Sequence, residues 1–190
     1  GRRRTMAPIT IVICLLLMLM PPFVQAAPDS RGLAARPKTI SGEELKGELW
    51  LLTIGIDSYQ NWNRLKTAVN DARAVRDILL QRYNLDRSRV LELYNEQATR
   101  KNIIAAFRGL TRKIKSDDSL IVFYAGHGHI DSITKEGSWI PVESGTDDPS
   151  AWLSNHEVKN YLKIDAIKAR HVLLISDSCF SGDFFRNSRG

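Results

Sequence analysis

Two short runs of the chain carry reactive side chains. Ala125-Gly126-His127-Gly128-His129 and Ser176-Asp177-Ser178-Cys179-Phe180-Ser181-Gly182 lie about fifty residues apart, and each follows an apolar stretch of strand length. A free thiol, with a pKa of about 8.5, is mostly protonated at neutral pH, so a nucleophilic cysteine needs a partner to take its proton. An imidazole is suited to that task. If the two stretches are neighbouring strands, His127 and Cys179 arrive at the same sheet edge, where the imidazole can activate the thiol. The glycines beside His127 allow tight turns and close approach of a substrate. A lone cysteine is ordinarily a small buried hydrophobe. Cys179, however, sits among Asp, Ser and Gly beyond its apolar stretch, which suits a functional loop better than a core.

Rival chemistries use the same residues. His127-Gly128-His129-Ile130-Asp131 has an H-x-H-x-D spacing that can gather ligands around zinc, but a catalytic zinc site needs a further ligand and this reading leaves the Cys179 run unexplained. No metal site is predicted. Ser178 and Ser181 lie outside any G-x-S-x-G elbow, which weakens a serine nucleophile. His156, in the first turn of an expected helix, and His171, at the start of a strand, read as structural or exposed histidines.

The elements that must position these runs follow from apolar periodicity. Leu49 to Ile56 is a near-continuous apolar run, as a strand buried on both faces requires. Leu65, Ala68, Val69, Ala72, Val75, Ile78 and Leu79 recur at helical spacing, and Asn84-Leu85-Asp86 ends that helix. Val90 to Tyr94 predicts a second strand. Thr99 caps a second helix whose stripe is Ile103, Phe107, Leu110 and Ile114. Ser119 to Tyr124 predicts a third strand and His171 to Ile175 a fourth, with a capping-box helix opening at Ser154-Asn155-His156-Glu157 between them. Strands alternating with helices imply an α/β fold with a largely parallel sheet covered on both faces. In such sheets ligands bind beyond the carboxyl ends of the strands, where both reactive runs lie.

Composition bounds the rest. The 190 residues are 43% hydrophobic and 25% charged, which places the chain among globular proteins. Of the net charge of +6, three positives are Arg2, Arg3 and Arg4; residues 27–190 keep 24 basic against 21 acidic side chains. That scattered balance gives no electrostatic footprint for nucleic acid. The arginines precede a twelve-residue apolar run, Ile9 to Met20, followed by Pro21-Pro22 and Val24-Gln25-Ala26. This pattern predicts a signal peptide over 1–26, a flexible lead-in over 27–47 and a folded domain over 48–190. The apolar run is short of the roughly 20 residues of a membrane-spanning helix, so the mature protein is expected to be secreted or periplasmic with no stable membrane anchor. Removing the leader removes Cys14 and leaves Cys179 as the sole thiol. The sequence sets no oligomeric state.

Tyr124-Ala125-Gly126-His127-Gly128 and Asp177-Ser178-Cys179-Phe180-Ser181-Gly182 together resemble the caspase-like clan of cysteine peptidases, in particular its metacaspase and bacterial caspase-homologue branch, peptidase family C14. Ile54-Gly55-Ile56-Asp57-Ser58-Tyr59 and Ala68-Val69-Asn70-Asp71-Ala72 extend the likeness, which covers residues 48–183. The resemblance implies a caspase-like three-layer sandwich. It implies a Cys-His dyad, with Cys179 as nucleophile, His127 as general base and then acid, and the backbone amides of Gly128 and Cys179 as oxyanion hole. It also implies that Asp71 and Asp177 line the pocket for the substrate's P1 side chain, so that cleavage follows Arg or Lys. By itself Asp71 reads equally as a carboxylate placed near a helix start by the macrodipole.

Further expectations rest on the same likeness. The family's fold continues past the cysteine loop, whereas eleven residues follow Cys179, so the domain is expected to lack its C-terminal part. Many metacaspases respond to calcium, but Asp147 and Asp148 match that site loosely and Arg186 stands where an acidic ligand is wanted. No cofactor and no calcium dependence are predicted. Self-cleavage at Arg186 or Arg189 is a hypothesis. Because carboxylates near the thiol oppose thiolate formation, activity is expected to peak at or above neutral pH. The alternative of a different class is an inactive caspase-like module that binds peptides without cutting them.

Overall fold

The computed structural model describes residues 47–178. The expected signal peptide, all but the last residue of the lead-in, and Cys179 lie outside the described residues. In chain order the elements are β1 (Leu49–Gly55), α1 (Ala68–Arg82), β2 (Val90–Tyr94), α2 (Arg100–Lys113), β3 (Ser119–Ala125), β4 (Gly128–Ile130), β5 (Gly137–Trp139), β6 (Leu153–Ser154), α3 (Asn155–Leu162) and β7 (His171–Asp177). Four strands form one sheet of order β2-β1-β3-β7, and every neighbouring pair in it is parallel. The two reactive runs therefore do follow adjacent strands.

Side-chain alternation along these strands makes three layers. Leu52, Ile54 and Ile56 share a core with Ile103, Phe107 and Leu110 of α2 and Val158 of α3. The opposite face meets α1: Phe123 and Ala125 pack on Ala68 and Ala72, and Leu51 on Leu79. The α/β sandwich with helices on both faces is the expected one. Thr99 accepts a hydrogen bond from the Asn102 N–H, and Ser154 with Glu157 forms the predicted capping box.

Some boundaries differ from the sequence reading, for local reasons. Leu65 is outside α1, which begins at Ala68, and Ile78 is 51% exposed although it falls on the apolar period. β3 runs on through Ala125 and β7 through Asp177, because the register that pairs Ser119 with His171 continues to pair Ala125 with Asp177. A second sheet was not anticipated. It is antiparallel, of order β4-β5-β6, and its strands are only two or three residues long, too short to show a period.

The opposite end of the sheet is fastened by one buried carboxylate. Asp118, 3% exposed, accepts from the Glu48 N–H at 2.8 Å, from Trp50 Nε1 at 3.1 Å and from the Lys115 N–H at 2.9 Å. Burial pushes this carboxyl up, but the three donors and the nearby Lys115 charge together hold it below the usual range. A folded-state pKa below the unfolded one stabilises the fold above about pH 4, and that contribution disappears as pH falls through the folded value. Asp118→Asn is therefore expected to cost about 1–3 kcal/mol in urea denaturation at pH 7. The gap to wild type should narrow as the titration is repeated at progressively lower pH below about 4.

Candidate active site

The register places three strand ends on one row: Gly55 of β1 pairs with Ala125 of β3, and Ala125 with Asp177 of β7. Helix α1 rests directly on this row. A Cβ on Gly55 would lie 2.9 Å from the Ala68 carbonyl oxygen and from the Ala72 Cβ, and Thr53 Oγ1 donates to the Ala72 carbonyl at 3.1 Å. The first turn of α1, with Asp71, is thereby held over the carboxyl edge of the sheet.

Between the row and α1 the chain makes a loop, 57–67, closed by Asp57. One carboxylate oxygen accepts from the Ala68 N–H at 2.9 Å and the other from the Val69 N–H at 3.2 Å. Thr67, at the helix cap, makes no side-chain capping bond, so Asp57 serves as the cap from a distance. The amides of Asp57 and Ser58 donate in turn to Asn95 Oδ1 at 2.9 and 3.0 Å. Asn95 has φ +45°, a left-handed conformation that asparagine tolerates better than most residues. Trp62 Nε1 donates to the Ser144 carbonyl at 3.1 Å and fastens the loop's middle.

This loop delivers a backbone carbonyl to the histidine. His127 Nε2 lies 2.7 Å from the Asn63 carbonyl oxygen. A carbonyl only accepts, so Nε2 carries the hydrogen, and in the neutral imidazole Nδ1 is left as the acceptor. The ring is flanked by Tyr59, with centroids 4.8 Å apart, and by Trp62 at 5.5 Å. The imidazole is thus held in one orientation and one neutral tautomer.

Gly128 opens β4 opposite Trp139 of β5. Because the Ile140 N–H donates to the His127 carbonyl at 3.2 Å, the Gly128–Trp139 pair is of the non-hydrogen-bonded kind, with its N–H turned away from β5. Among the described strands β4 is an edge, so that amide, next in the chain after His127, faces outward.

Asp71 and Asp177, far apart in sequence, line one cavity of about 290 Å³. Ala125 and Gly126 form part of its wall, and Lys66 and Thr67 contribute from the loop. Asp71 is thus both a first-turn acid and a pocket residue. The second histidine of the H-x-H-x-D run does not turn toward the first with Asp131. His129 packs against Trp152, with centroids 4.5 Å apart, and Asp131 accepts from the amides of Ile133 and Thr134 in a turn. Among the described residues no three His, Cys, Asp or Glu side chains converge as metal ligands. Asp148 caps its own short turn by accepting from the Ser150 N–H. His156 and His171 are exposed. No described helix is long and apolar enough to cross a membrane.

Sequence reasoning missed Tyr59, Asn63, Trp62 and Lys66 as site residues. Asn63 acts through its backbone, which leaves no mark on residue type. Lys66 lies next to the Ala68–Ala72 motif but has no distinguishing spacing.

Comparison with known proteins agrees with this architecture. The family model described as metacaspase, peptidase C14 domain, matches residues 51–187. Metacaspase-6 of Arabidopsis thaliana is 29% identical over 148 residues, which cover 69% of this chain and 37% of that protein. Metacaspase-1 of Eremothecium gossypii is 24% identical over 178 residues, covering 85% of this chain and 39% of its own length. The chain thus spans well under half of each of these relatives. A crystal structure of a Geobacter sulfurreducens protein superposes with a TM-score of 0.55 at 20% identity, over 70% of this chain and 50% of that one, a likeness of fold.

The Asp57 clasp yields a direct test. Asp57→Ala removes the acceptor for two helix-start amides and is expected to cost about 1–2 kcal/mol in chemical denaturation. The same substitution frees the loop that carries Asn63, so the imidazole should lose its fixed Nε2–H tautomer in nitrogen-15 NMR.

Proposed function

The chain belongs to the metacaspase peptidase C14 family, and on that premise we propose that it is a cysteine endopeptidase cutting polypeptides after Arg or Lys. The observation that carries the specificity is the pair Asp71 and Asp177 on one cavity whose wall includes Gly126, the residue before His127. With Lys66 on the same wall, the side chains leave a formal excess of one negative charge, which suits one P1 cation. A P1 aspartate would meet repulsion there.

In this reading Cys179 is the nucleophile. In sequence it follows Asp177 by two residues, as His127 follows Ala125, the residue paired with Asp177 in the sheet. His127 Nδ1 takes the Sγ proton while Nε2–H stays bonded to the Asn63 carbonyl, and the thiolate attacks the scissile carbonyl carbon. Charge gathers on the carbonyl oxygen, where the outward N–H of Gly128 and that of Cys179 would receive it. The imidazolium returns its proton to the leaving amine as the C–N bond breaks, and water then hydrolyses the thioester with His127 again as base. Base, nucleophile and amides all come from the chain, so the reading needs no cofactor. It also takes the mature protein to be exported, its leader removed after Ala26.

Fluorogenic peptides with Arg, Lys or Asp at P1 test this directly, with and without calcium, using full-length protein beside Cys179→Ala and Asp177→Asn. The Arg and Lys peptides should be cut, fastest at or above neutral pH, and the Asp peptide spared. Cys179→Ala should be silent, and Asp177→Asn should lose roughly 10- to 150-fold in kcat/KM, the equivalent of a charged hydrogen bond of about 1.5–3 kcal/mol. Binding of the Arg peptide without turnover, by wild type as by Cys179→Ala, would favour the peptide-binding module instead. Mass spectrometry of protein expressed with its leader should find Ala27 at the N-terminus; an intact leader would count against export.

A further inference from the structure

The backbone of His127 is gripped on both sides by phenols. Its N–H donates to Tyr59 Oη at 2.7 Å, and Tyr124 Oη donates to its carbonyl at 2.6 Å. The two hydroxyls are 3.4 Å apart. Tyr124 has a single proton and it is committed to the carbonyl, so the link between hydroxyls is donated by Tyr59. The result is a closed ring: His127 N–H to Tyr59, Tyr59 to Tyr124, and Tyr124 back to His127 C=O.

This ring replaces ordinary sheet pairing. His127 lies opposite Ile140 where the β4–β5 ladder would continue, and a narrow antiparallel pair exchanges two hydrogen bonds. One is made, from the Ile140 N–H to the His127 carbonyl at 3.2 Å. The other is not, because the His127 N–H turns to Tyr59.

Three further observations show that the site is built around the two hydroxyls. A Cβ on Gly126 would come within 2.5 Å of Tyr59 Oη and 2.7 Å of Tyr124 Oη, so the backbone before His127 is pressed against both. Tyr124 is fully buried and stacks on Trp139, with ring centroids 4.3 Å apart and planes 4° from parallel. Tyr59 also lays its ring against the imidazole. Both hydroxyls keep their protons across the working pH range. Burial raises Tyr59 to about 12, and burial together with Tyr59 raises Tyr124 well above the usual phenol value.

We propose that Tyr59 and Tyr124 are positioning residues for the reaction: their hydroxyls fix the His127 backbone so that the imidazole meets the Asn63 carbonyl through Nε2 and presents Nδ1 to the thiol. The proposal rests on His127 being the general base. Neither hydroxyl touches the reacting atoms in this account; each acts through the histidine backbone. The alternative is that the hydroxyls merely satisfy one another in a packed interior.

The variants Tyr59→Phe and Tyr124→Phe keep the aromatic side chain and remove one hydroxyl each, which breaks two of the three links, and Gly126→Ala pushes the two hydroxyls from the backbone side. Phe107→Leu, in the core under α2, is the control for lost stability alone. Two readouts are compared: turnover of the P1-Arg peptide by full-length protein, and the imidazole nitrogen-15 signals of the same variants carrying Cys179→Ala. Tyr59→Phe is expected to lower kcat by about 10- to 100-fold with little change in KM, as misplacement of a base requires. Its His127 signals should move from those of a fixed Nε2–H tautomer toward an average of both. Tyr124→Phe gives the same signature through the other link, so either folded variant suffices. Phe107→Leu should lower the melting temperature while leaving kcat and the tautomer signals as in wild type. A folded Tyr59→Phe or Tyr124→Phe with wild-type kcat and wild-type signals overturns the proposal. If wild type cuts no peptide, the endopeptidase reading fails, and the nitrogen-15 signals still decide whether the phenols hold the histidine.

Discussion

The shared register of β1, β3 and β7 is the constraint on which the site depends. It sets Gly55, Ala125 and Asp177 side by side, and everything chemical leaves the sheet from that row or is laid upon it. A slip of one residue in either pairing would exchange the two faces of a strand, and in a sheet buried on both faces that exchange would disrupt both cores. Register is therefore enforced by packing far from the chemistry. Leu52, Ile54 and Val122 on one side and Leu51, Phe123 and Ala72 on the other hold the row in place.

Above the row, the site is organised mainly by hydrogen bonds to backbone, the Tyr59–Tyr124 link being one between side chains. Asp57 caps α1 from eleven residues before its first residue, Asn95 holds the amides at the loop's start, and the loop presents the Asn63 carbonyl to His127. Backbone groups have fixed geometry once the chain is fixed, so they orient an imidazole without a side-chain entropy cost of their own. The acidic wall is assembled differently. Asp71 comes from a helix and Asp177 from a strand end, and they share a cavity only because α1 sits on Gly55, where no side chain stands between helix and sheet.

Much of this was legible in the sequence. Near-continuous apolar runs marked the central strands, Thr99 and the Ser154–Glu157 box marked helix starts, and His127 just past one apolar run with Asp177 at the end of another marked the edge. What stayed hidden has two physical causes. The strands of the antiparallel sheet are too short to carry a period, so β4, β5 and β6 looked like loop. The other cause is that several site interactions are long-range or made by main chain. Tyr59 reaches His127 across 68 residues, and the Asn63 carbonyl would be the same carbonyl on any residue. Lys66 was invisible for a third reason: a lysine before a helix is an ordinary solvated residue until the cavity beside it is known.

The central claim is that a nucleophile at Cys179, the base at His127 and a cation pocket between Asp71 and Asp177 belong to one site. A crystal structure of the protein after reaction with a peptidyl-arginine chloromethyl ketone measures all three at once. The account predicts a covalent bond from Cys179 Sγ to the inhibitor, the arginine guanidinium between the carboxylates of Asp71 and Asp177, and His127 Nε2 still on the Asn63 carbonyl. An unmodified Cys179, or an adduct whose guanidinium lies in solvent away from both carboxylates, would contradict it.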